Sequence, residues 1–327
     1  MAKLTITLPV YNGMPYVEDA VESILAQTHD DFHFLIIDDG SRDGSTEYLK
    51  SINDSRVHLI VRENRGLGAT LNQLFAESET EYVVRMDSDD VCAPDRLQKM
   101  VAFIDSNNDF VMAGSDQAFL VDGKTLKAAP RPTDHENIRR LLLKKRPGIL
   151  HPTVVVRRDA WARVGGYRLS GAGEDLDFCL RMCDVGKVTN IPEVLYYYRL
   201  HAKSISSSRR REINYGYDFG VACALARERG QTEPDPETYK LHWNARSIPS
   251  KVADSFTNLG QHFYRLSLVR RIEGRKLTSA ALMVAAASVQ PRTAADRLMQ
   301  IAARAVRQRE SKLPLSSSNI IQGAKCD

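Results

Sequence analysis

Several familiar kinds of protein are excluded by what this chain has little of. It has 5 cysteines in 327 residues, Cys92, Cys179, Cys183, Cys223 and Cys326. An odd number at scattered spacings gives neither a disulfide framework nor a CxxC metal site, and a reducing compartment suits it best. Long apolar runs are missing too. The longest near the C-terminus, Ala280 to Ala287, is eight residues, far below the ~20 needed to span a bilayer. After Met1 the chain runs Ala2-Lys3-Leu4-Thr5-Ile6-Thr7, with no continuous apolar signal region. The expected location is therefore cytoplasmic, and the Asn53-Asp54-Ser55 sequon is accidental. No GxxxxGK[ST] occurs, which removes a P-loop nucleotidase. Gly66-Leu67-Gly68-Ala69-Thr70-Leu71 starts like a dinucleotide fingerprint but has Leu71 where a third small residue belongs. No internal repeat is evident.

Excess charge is also missing overall, since 45 Lys/Arg stand against 41 Asp/Glu, a net of +4. The distribution is uneven. Residues 1–245 carry 31 basic and 36 acidic residues, a net of −5, whereas residues 246–312 carry 13 and 4, a net of +9. An acidic body with a basic tail region argues against a nucleic-acid partner. The length and the ordinary 43% hydrophobic content leave room for a large core and a second part.

The first hundred residues alternate strand and helix patterns. Strands are expected over Leu4 to Val10, Phe32 to Asp38, Val57 to Val61 and Glu81 to Met86. Helices are expected over Pro15 to Gln27, Gly44 to Ile52, Leu67 to Ser78 and Pro94 to Ser106. Such alternation implies right-handed βαβ crossovers and an α/β fold with a mainly parallel sheet covered on both faces. Ligands bind beyond the carboxyl ends of the strands in such sheets. The polar clusters fall there: Tyr11-Asn12-Gly13, Asp38-Asp39-Gly40-Ser41, Asn64-Arg65-Gly66 and Asp87-Ser88-Asp89-Asp90. Further on, strand patterns over Phe110–Val121, Leu150–Arg157 and Val188–Tyr198 surround helices near 134–145 and 174–184. From about 205 nearly everything reads as helix. The expected division is 1–240 for the α/β domain, 241–312 for a helical basic region and 313–327 for a flexible tail.

Asp87-Ser88-Asp89 is the most informative cluster. Two carboxylates one residue apart at a strand end suit a hard divalent cation, which prefers a few carboxylate oxygens plus substrate phosphates. Taken with Leu8-Pro9-Val10-Tyr11-Asn12, Val21-Glu22-Ser23-Ile24-Leu25-Ala26-Gln27-Thr28, Ile36-Ile37-Asp38-Asp39-Gly40-Ser41 and Asn64-Arg65-Gly66, it resembles a family 2 inverting glycosyltransferase of the GT-A fold. The resemblance continues through Gly173-Glu174-Asp175-Leu176-Asp177-Phe178-Cys179-Leu180-Arg181 and Tyr198-Arg199-Leu200-His201, covering roughly residues 3–205. It leaves the helical remainder unidentified.

The resemblance implies roles for particular residues. Asp39 corresponds to the carboxylate that accepts from the uracil imide of a UDP-sugar, with Pro9 and Tyr11 shaping the wall around the base. Asp87 and Ser88 stand near the ribose and cation, Asp89 is the direct ligand to Mn²⁺ or Mg²⁺, and His201 reaches back to that cation or to the diphosphate. Independently of the resemblance, Arg65 and Lys203 are candidates to share in neutralising the diphosphate. Asp175, opening a helix, is the candidate base that takes a proton from the acceptor hydroxyl, with Glu174 and Asp177 as neighbours. His151 lines the acceptor side, and Cys179 and Cys183 are small core residues. The implied partners are a nucleotide-sugar donor and a saccharide or lipid-linked saccharide acceptor of a surface polysaccharide. Alternatives are a catalytically silent nucleotide-sugar-binding scaffold, or a sugar-1-phosphate nucleotidyltransferase, whose Gly-rich N-terminal loop is absent. An amphipathic helix over Thr293 to Arg309 either packs on the helix Leu277–Val289, rests on anionic lipid, or meets a protein partner.

Overall fold

A computed structural model describes residues 2–168, 173–201 and 209–289. Lys203, the segment Thr293 to Arg309 with its lipid-facing alternative, and the tail from 313 lie outside the described residues. The first half follows the expected alternation: β1 (Leu4–Val10), α1 (Val17–Leu25), β2 (His33–Asp38), α2 (Ser45–Ser51), β3 (Val57–Val61), α3 (Leu67–Glu77), β4 (Tyr82–Arg85), β5 (Val91–Cys92) and α4 (Arg96–Ser106). Then come β6 (Phe110–Val121), β7 (Lys124–Lys127), α5 (His135–Leu143), β8 (Val155–Arg157), α6 (Arg158–Val164), α7 (Glu174–Val185) and β9 (Lys187–Arg199). Four helices close the described chain: α8 (Arg210–Glu228), α9 (Pro236–Asn244), α10 (Ile248–Ile272) and α11 (Lys276–Val289).

These strands form one sheet in the order β3-β2-β1-β4-β8-β6-β9-β5, with β7 paired to β6. The β3-β2-β1-β4 half is parallel, and β6 runs parallel to β9 along a long ladder. The antiparallel pairs are shorter and involve β8, β5 and β7. The sheet is thus mainly parallel, as a buried α/β sheet requires. β1 is buried along its whole length, and its two threonines are satisfied internally, Thr5 with Thr80 Oγ1 at 2.7 Å and Thr7 with the Val84 carbonyl at 3.1 Å. α1 buries Val17, Ala20, Val21 and Ile24, the i, i+3, i+4, i+7 stripe of a helix laid on a sheet. One core lies between the sheet and α1 and α4; a second lies on the other face beneath α3, α5 and α7.

One expected strand is shortened. Leu150–Arg157 is strand only over Val155–Arg157, because His151–Thr153 forms a 3-10 turn opened by Pro152. Its Thr153 hydroxyl turns back to the Leu150 carbonyl at 2.7 Å, a local bond that competes with sheet pairing. The C-terminal helices reach the sheet as well. Leu268, with Tyr264, Val269 and Ile272 of α10, packs against Val121, Phe119, Leu126 and Leu200 at the β6–β7–β9 margin. Among the described residues, no helix is long and apolar enough to cross a membrane.

Candidate active site

The carboxyl ends of β1, β2 and β4 and the first turn of α7 open onto one cleft of about 1930 Å³, walled on its far side by α8, α10 and α11. Ligand pockets commonly run to roughly 300–1,000 Å³, so this cleft has room for a nucleotide sugar and part of a second substrate. Pro9, Tyr11, Asp39, Asp87, Ser88, Asp89, Asp175 and His201 all line it. Tyr11 stands with 56% of its surface exposed, an aromatic face open to the cleft.

The β1 and β2 loops are stitched together by polar contacts. Asn12 Oδ1 accepts from the Arg42 amide at 2.8 Å, and the Asn12 amide donates to Ser41 Oγ at 2.9 Å. Gly40, at φ +84, lies so close to the Asn64 amide that a Cβ would meet it at 3.0 Å, so this turn needs glycine for both conformation and space. Asp38 is fully buried and turns inward, accepting from the Ser41 amide at 3.0 Å and from Thr46 Oγ1. Asp39 is the member of the pair that faces the cleft. Its Oδ1 accepts from the Arg65 amide at 3.0 Å and pairs with Arg62 Nη1 at 2.9 Å, and its Oδ2 accepts from the Gly66 amide at 2.8 Å. The expectation for Arg65 needs correction. Its side chain is exposed and outside the cleft lining, it contributes only a backbone N–H, and the guanidinium beside Asp39 belongs to Arg62.

The aspartate cluster is positioned by strand register. β5 pairs antiparallel with β9, Val91 opposite Tyr197 and Cys92 opposite Tyr196, which carries the end of β9 back alongside residues 87–90. His201 Nε2 comes to 2.7 Å from Asp89 Oδ2. Arg199 fastens this crossing: its amide donates to Asp90 Oδ1 at 2.7 Å, its Nε to the Asp89 carbonyl at 2.8 Å, and its Nη2 to Asp19 at 2.6 Å. The same guanidinium lies 4.7 Å over the Tyr16 ring, which in turn tilts against His201 at 4.8 Å.

Asp87, Asp89 and Asp90 each offer a carboxylate oxygen within 4.8 Å of the others. Burial together with the charges of Asp89 and Asp175 pushes the Asp87 carboxyl above its ordinary value, against the pull of Arg85. Burial, then Asp89 and Asp87, pushes Asp90 up well beyond that range. Carboxylates crowded until they resist ionisation are a donor set that a divalent cation would relieve, and oxygen ligands with one imidazole fit Mn²⁺ or Mg²⁺.

Arg85 is the central cation, and the sequence does not single it out. It lies on β4 with 4% of its side chain exposed and holds Asp87 Oδ1 at 2.7 Å. Burial opposes its charge, but Asp87 beside it keeps it firmly protonated. Burial and this nearby guanidinium keep His151 neutral, and His151 Nε2 lies 2.6 Å from the Tyr167 hydroxyl. His151 lines the cleft.

Asp175 and Glu174 open α7 after Gly173, which takes φ +96 where a Cβ would meet the Ile213 carbonyl at 2.9 Å. Asp175 Oδ1 accepts from the Leu176 amide at 2.9 Å and Oδ2 from the Tyr217 hydroxyl at 3.3 Å. Burial raises its proton affinity, partly offset by the Leu176 N–H and Arg85. Burial and the Asp175 charge push Glu174 up to about 8. Asp177 stands apart from them: fully buried, it is gripped by Arg181 Nε at 2.9 Å and by Arg168, so it holds α7 in place. Cys179 and Cys183 are buried in the core, as expected.

Glu174 yields a pH prediction. The folded chain holds its proton more tightly than the unfolded chain does, so its contribution to stability is complete below 4.5 and fades as pH rises through about 8. Glu174→Gln is expected to flatten the decline of melting temperature across that window, read by thermal unfolding at several pH values. An unchanged decline would contradict this.

The chain is similar to known glycosyltransferases in sequence and in fold. The model of the family described as glycosyl transferase family 2 matches residues 5–165. The chain is 30% identical over 214 residues to the O-antigen biosynthesis glycosyltransferase WbnJ of Escherichia coli, covering 63% of this chain and 82% of that one. Its fold is shared with S. aureus TarS 1-349 in complex with UDP-GlcNAc, at TM-score 0.60 and 15% identity over 88% of this chain and 92% of the other. It is also shared with the mannosyltransferase PcManGT from Pyrobaculum calidifontis in complex with GDP-Man and Mn²⁺, at TM-score 0.53 and 21% identity over 93% and 80%. A family model matched over residues 5–165, a relative 30% identical of which this chain covers 82%, and the shared fold agree: the chain belongs to glycosyl transferase family 2.

Proposed function

We propose that the protein transfers a sugar from a UDP-linked donor, with inversion and with help from Mn²⁺ or Mg²⁺, to a saccharide or lipid-linked saccharide in polysaccharide biosynthesis. The observation that carries this reading is the meeting of Asp87, Asp89 and His201 in the same cleft as Asp39 and Asp175. TarS is described in complex with UDP-GlcNAc, and WbnJ as acting in O-antigen biosynthesis. The first description favours a UDP donor and the second a polysaccharide product.

In this reading the nucleobase sits between Pro9 and Tyr11, and Asp39 accepts a hydrogen bond from the imide N–H with the lone pair that the Arg65, Gly66 and Arg62 contacts leave over. The fixed contacts on Asp39 hold it oriented before the nucleotide arrives, which lowers the entropy cost of binding. Asp89 and His201 would hold the cation, with Asp87 and Ser88 beside it. The cation, when bound, supplies positive charge where the leaving diphosphate develops negative charge. Arg85 holds Asp87 in place at 2.7 Å and pulls against the rise in its proton affinity.

Asp175 accepts the proton of the acceptor hydroxyl as that oxygen attacks the anomeric carbon opposite the departing UDP. The bond to the acceptor forms as the bond to the diphosphate breaks, so a single carboxylate suffices and the anomeric configuration inverts. Its raised proton affinity makes it a stronger base than a solvated aspartate, and Leu176 and Tyr217 fix its plane. Glu174, protonated near neutrality, adds no second charge to repel the donor. The test is release of UDP from a panel of nucleotide sugars, with and without divalent cation. Release of free UDP from no donor, with any cation and with acceptor extract present, would contradict the reading.

A further inference from the structure

The charge lining the cleft is segregated. Asp39, Asp87, Asp89, Glu174 and Asp175 stand at the sheet edge and the start of α7, whereas the arm toward α8, α10 and α11 is lined by Lys127, Arg131, Lys144, Arg210 and Arg271. The lining carboxylate on that arm, Asp254, is already engaged by Arg246 at 2.8 Å.

Two half-buried arginines stand out there. Arg131 donates Nη1 to the Pro147 carbonyl at 2.8 Å, while its Nε is buried with no hydrogen-bond partner. Asp116, the carboxylate whose charge reaches Arg131, accepts its backbone N–H at 2.7 Å and forms no ion pair with the guanidinium among the described residues. Arg210 donates to Gln261 of α10 and likewise has no ion pair among the described residues. Burial and the neighbouring Arg265 both press against its charge. Tyr264, one turn from Gln261, shares that face of α10 and interacts with Arg131. A half-buried guanidinium with no carboxylate in direct contact among the described residues is costly unless an anion joins it.

We propose that this arm seats a phosphate group carried by the acceptor, gripped by Arg131 and Arg210, with Lys127, Lys144 and Arg271 adding to the field. The acceptor is then a phosphate-bearing glycan or glycolipid. This rests on the transfer reading above and names the substrate class for the same cleft. The donor's own diphosphate belongs at the Asp89 end, so two anionic groups are accommodated at separate places. Guanidinium forks match phosphate oxygens bidentately, and phosphate keeps its charge across the working pH range.

The test uses the full chain saturated with UDP and Mn²⁺, so that the donor end is filled. Farnesyl diphosphate and glucose 1-phosphate are titrated in by calorimetry. Binding is expected to weaken by about 10-fold or more in Arg131→Gln and Arg210→Gln, the loss of a charge-assisted hydrogen bond, with UDP affinity unchanged. Arg271→Gln, at an exposed position, carries the same test with little risk to folding and is expected to weaken binding less. Binding of farnesyl diphosphate alone supports a lipid-borne phosphate; binding of both probes supports phosphate in either setting. Absence of both from the UDP-loaded chain overturns the proposal, as does binding indifferent to all three substitutions. An equal loss of UDP affinity also overturns it, since the cations would then serve the donor. Failure of UDP itself to bind would instead strike the transfer reading.

Discussion

Asp175→Asn is expected to lower sugar transfer by roughly 10²- to 10⁴-fold, the usual worth of a positioned general base, while UDP still binds with wild-type affinity. The substitution keeps the size of the side chain and an oxygen able to accept from the Leu176 amide, so the first turn of α7 should be undisturbed. What it removes is a group able to take the acceptor proton. The pH profile distinguishes this from structural damage. Burial raises the Asp175 proton affinity above the ordinary 3.8, and a base works only when deprotonated. Wild-type kcat/KM should therefore rise with pH through a limb lying above that value, and the limb should vanish from the residual activity of the variant. Loss of UDP binding in step with activity would assign Asp175 to the donor instead.

The second large effect is expected for Asp89→Ala. This change removes the carboxylate that meets His201 at 2.7 Å and leaves Asp87 with Arg85. Transfer should fall by roughly 10²-fold or more, in keeping with the several kcal/mol that a bound cation contributes where charge develops. The variant should also lose the stimulation of UDP binding by Mn²⁺ or Mg²⁺, measured by titrating UDP with and without the cation. Asp90 makes an informative control. It is fully buried and tied to the Arg199 amide, so replacing it should loosen the crossing of β5 and β9 and lower stability. Equal donor turnover in wild type and Asp89→Ala would remove Asp89 from the cation site.

Much of the donor edge is legible in the sequence because it is local. A parallel sheet gathers the carboxyl ends of β1, β2 and β4 on one side, so short polar clusters after apolar runs fall in the same place whatever the details of packing. That logic reaches Asp39, Asp87, Asp89 and the Tyr11 loop. Residues whose role comes from register or depth are less visible. Arg85 follows Tyr82, Val83 and Val84 and reads as the end of a strand; nothing local says that its guanidinium is buried against Asp87. The choice between Arg62 and Arg65 is similar. Both flank the same turn, and only the tertiary placement of Gly66 and Asp39 makes one side chain the partner and the other exposed. Asp177 looks like its acidic neighbours until Arg181 and Arg168 are seen closing around it.

The far wall was the least legible part. A basic composition over residues 246–312 reads as a surface for lipid, protein or the enzyme's own body. In the fold, Gln261, Tyr264, Leu268 and Arg271 of α10 line the cleft that holds the aspartates. The helical patterns are apparent from the sequence, but the face turned inward depends on docking against Val121 and Leu200, contacts far apart along the chain.

The most direct measurement is proton NMR of a complete reaction, following the donor's anomeric proton and the released nucleotide together. A single displacement assisted by Asp175 predicts free UDP and a product whose anomeric configuration is opposite to that of the donor. Retained configuration would contradict the single displacement, and conversion of the donor to UTP and sugar 1-phosphate in the presence of diphosphate would make the chain a nucleotidyltransferase.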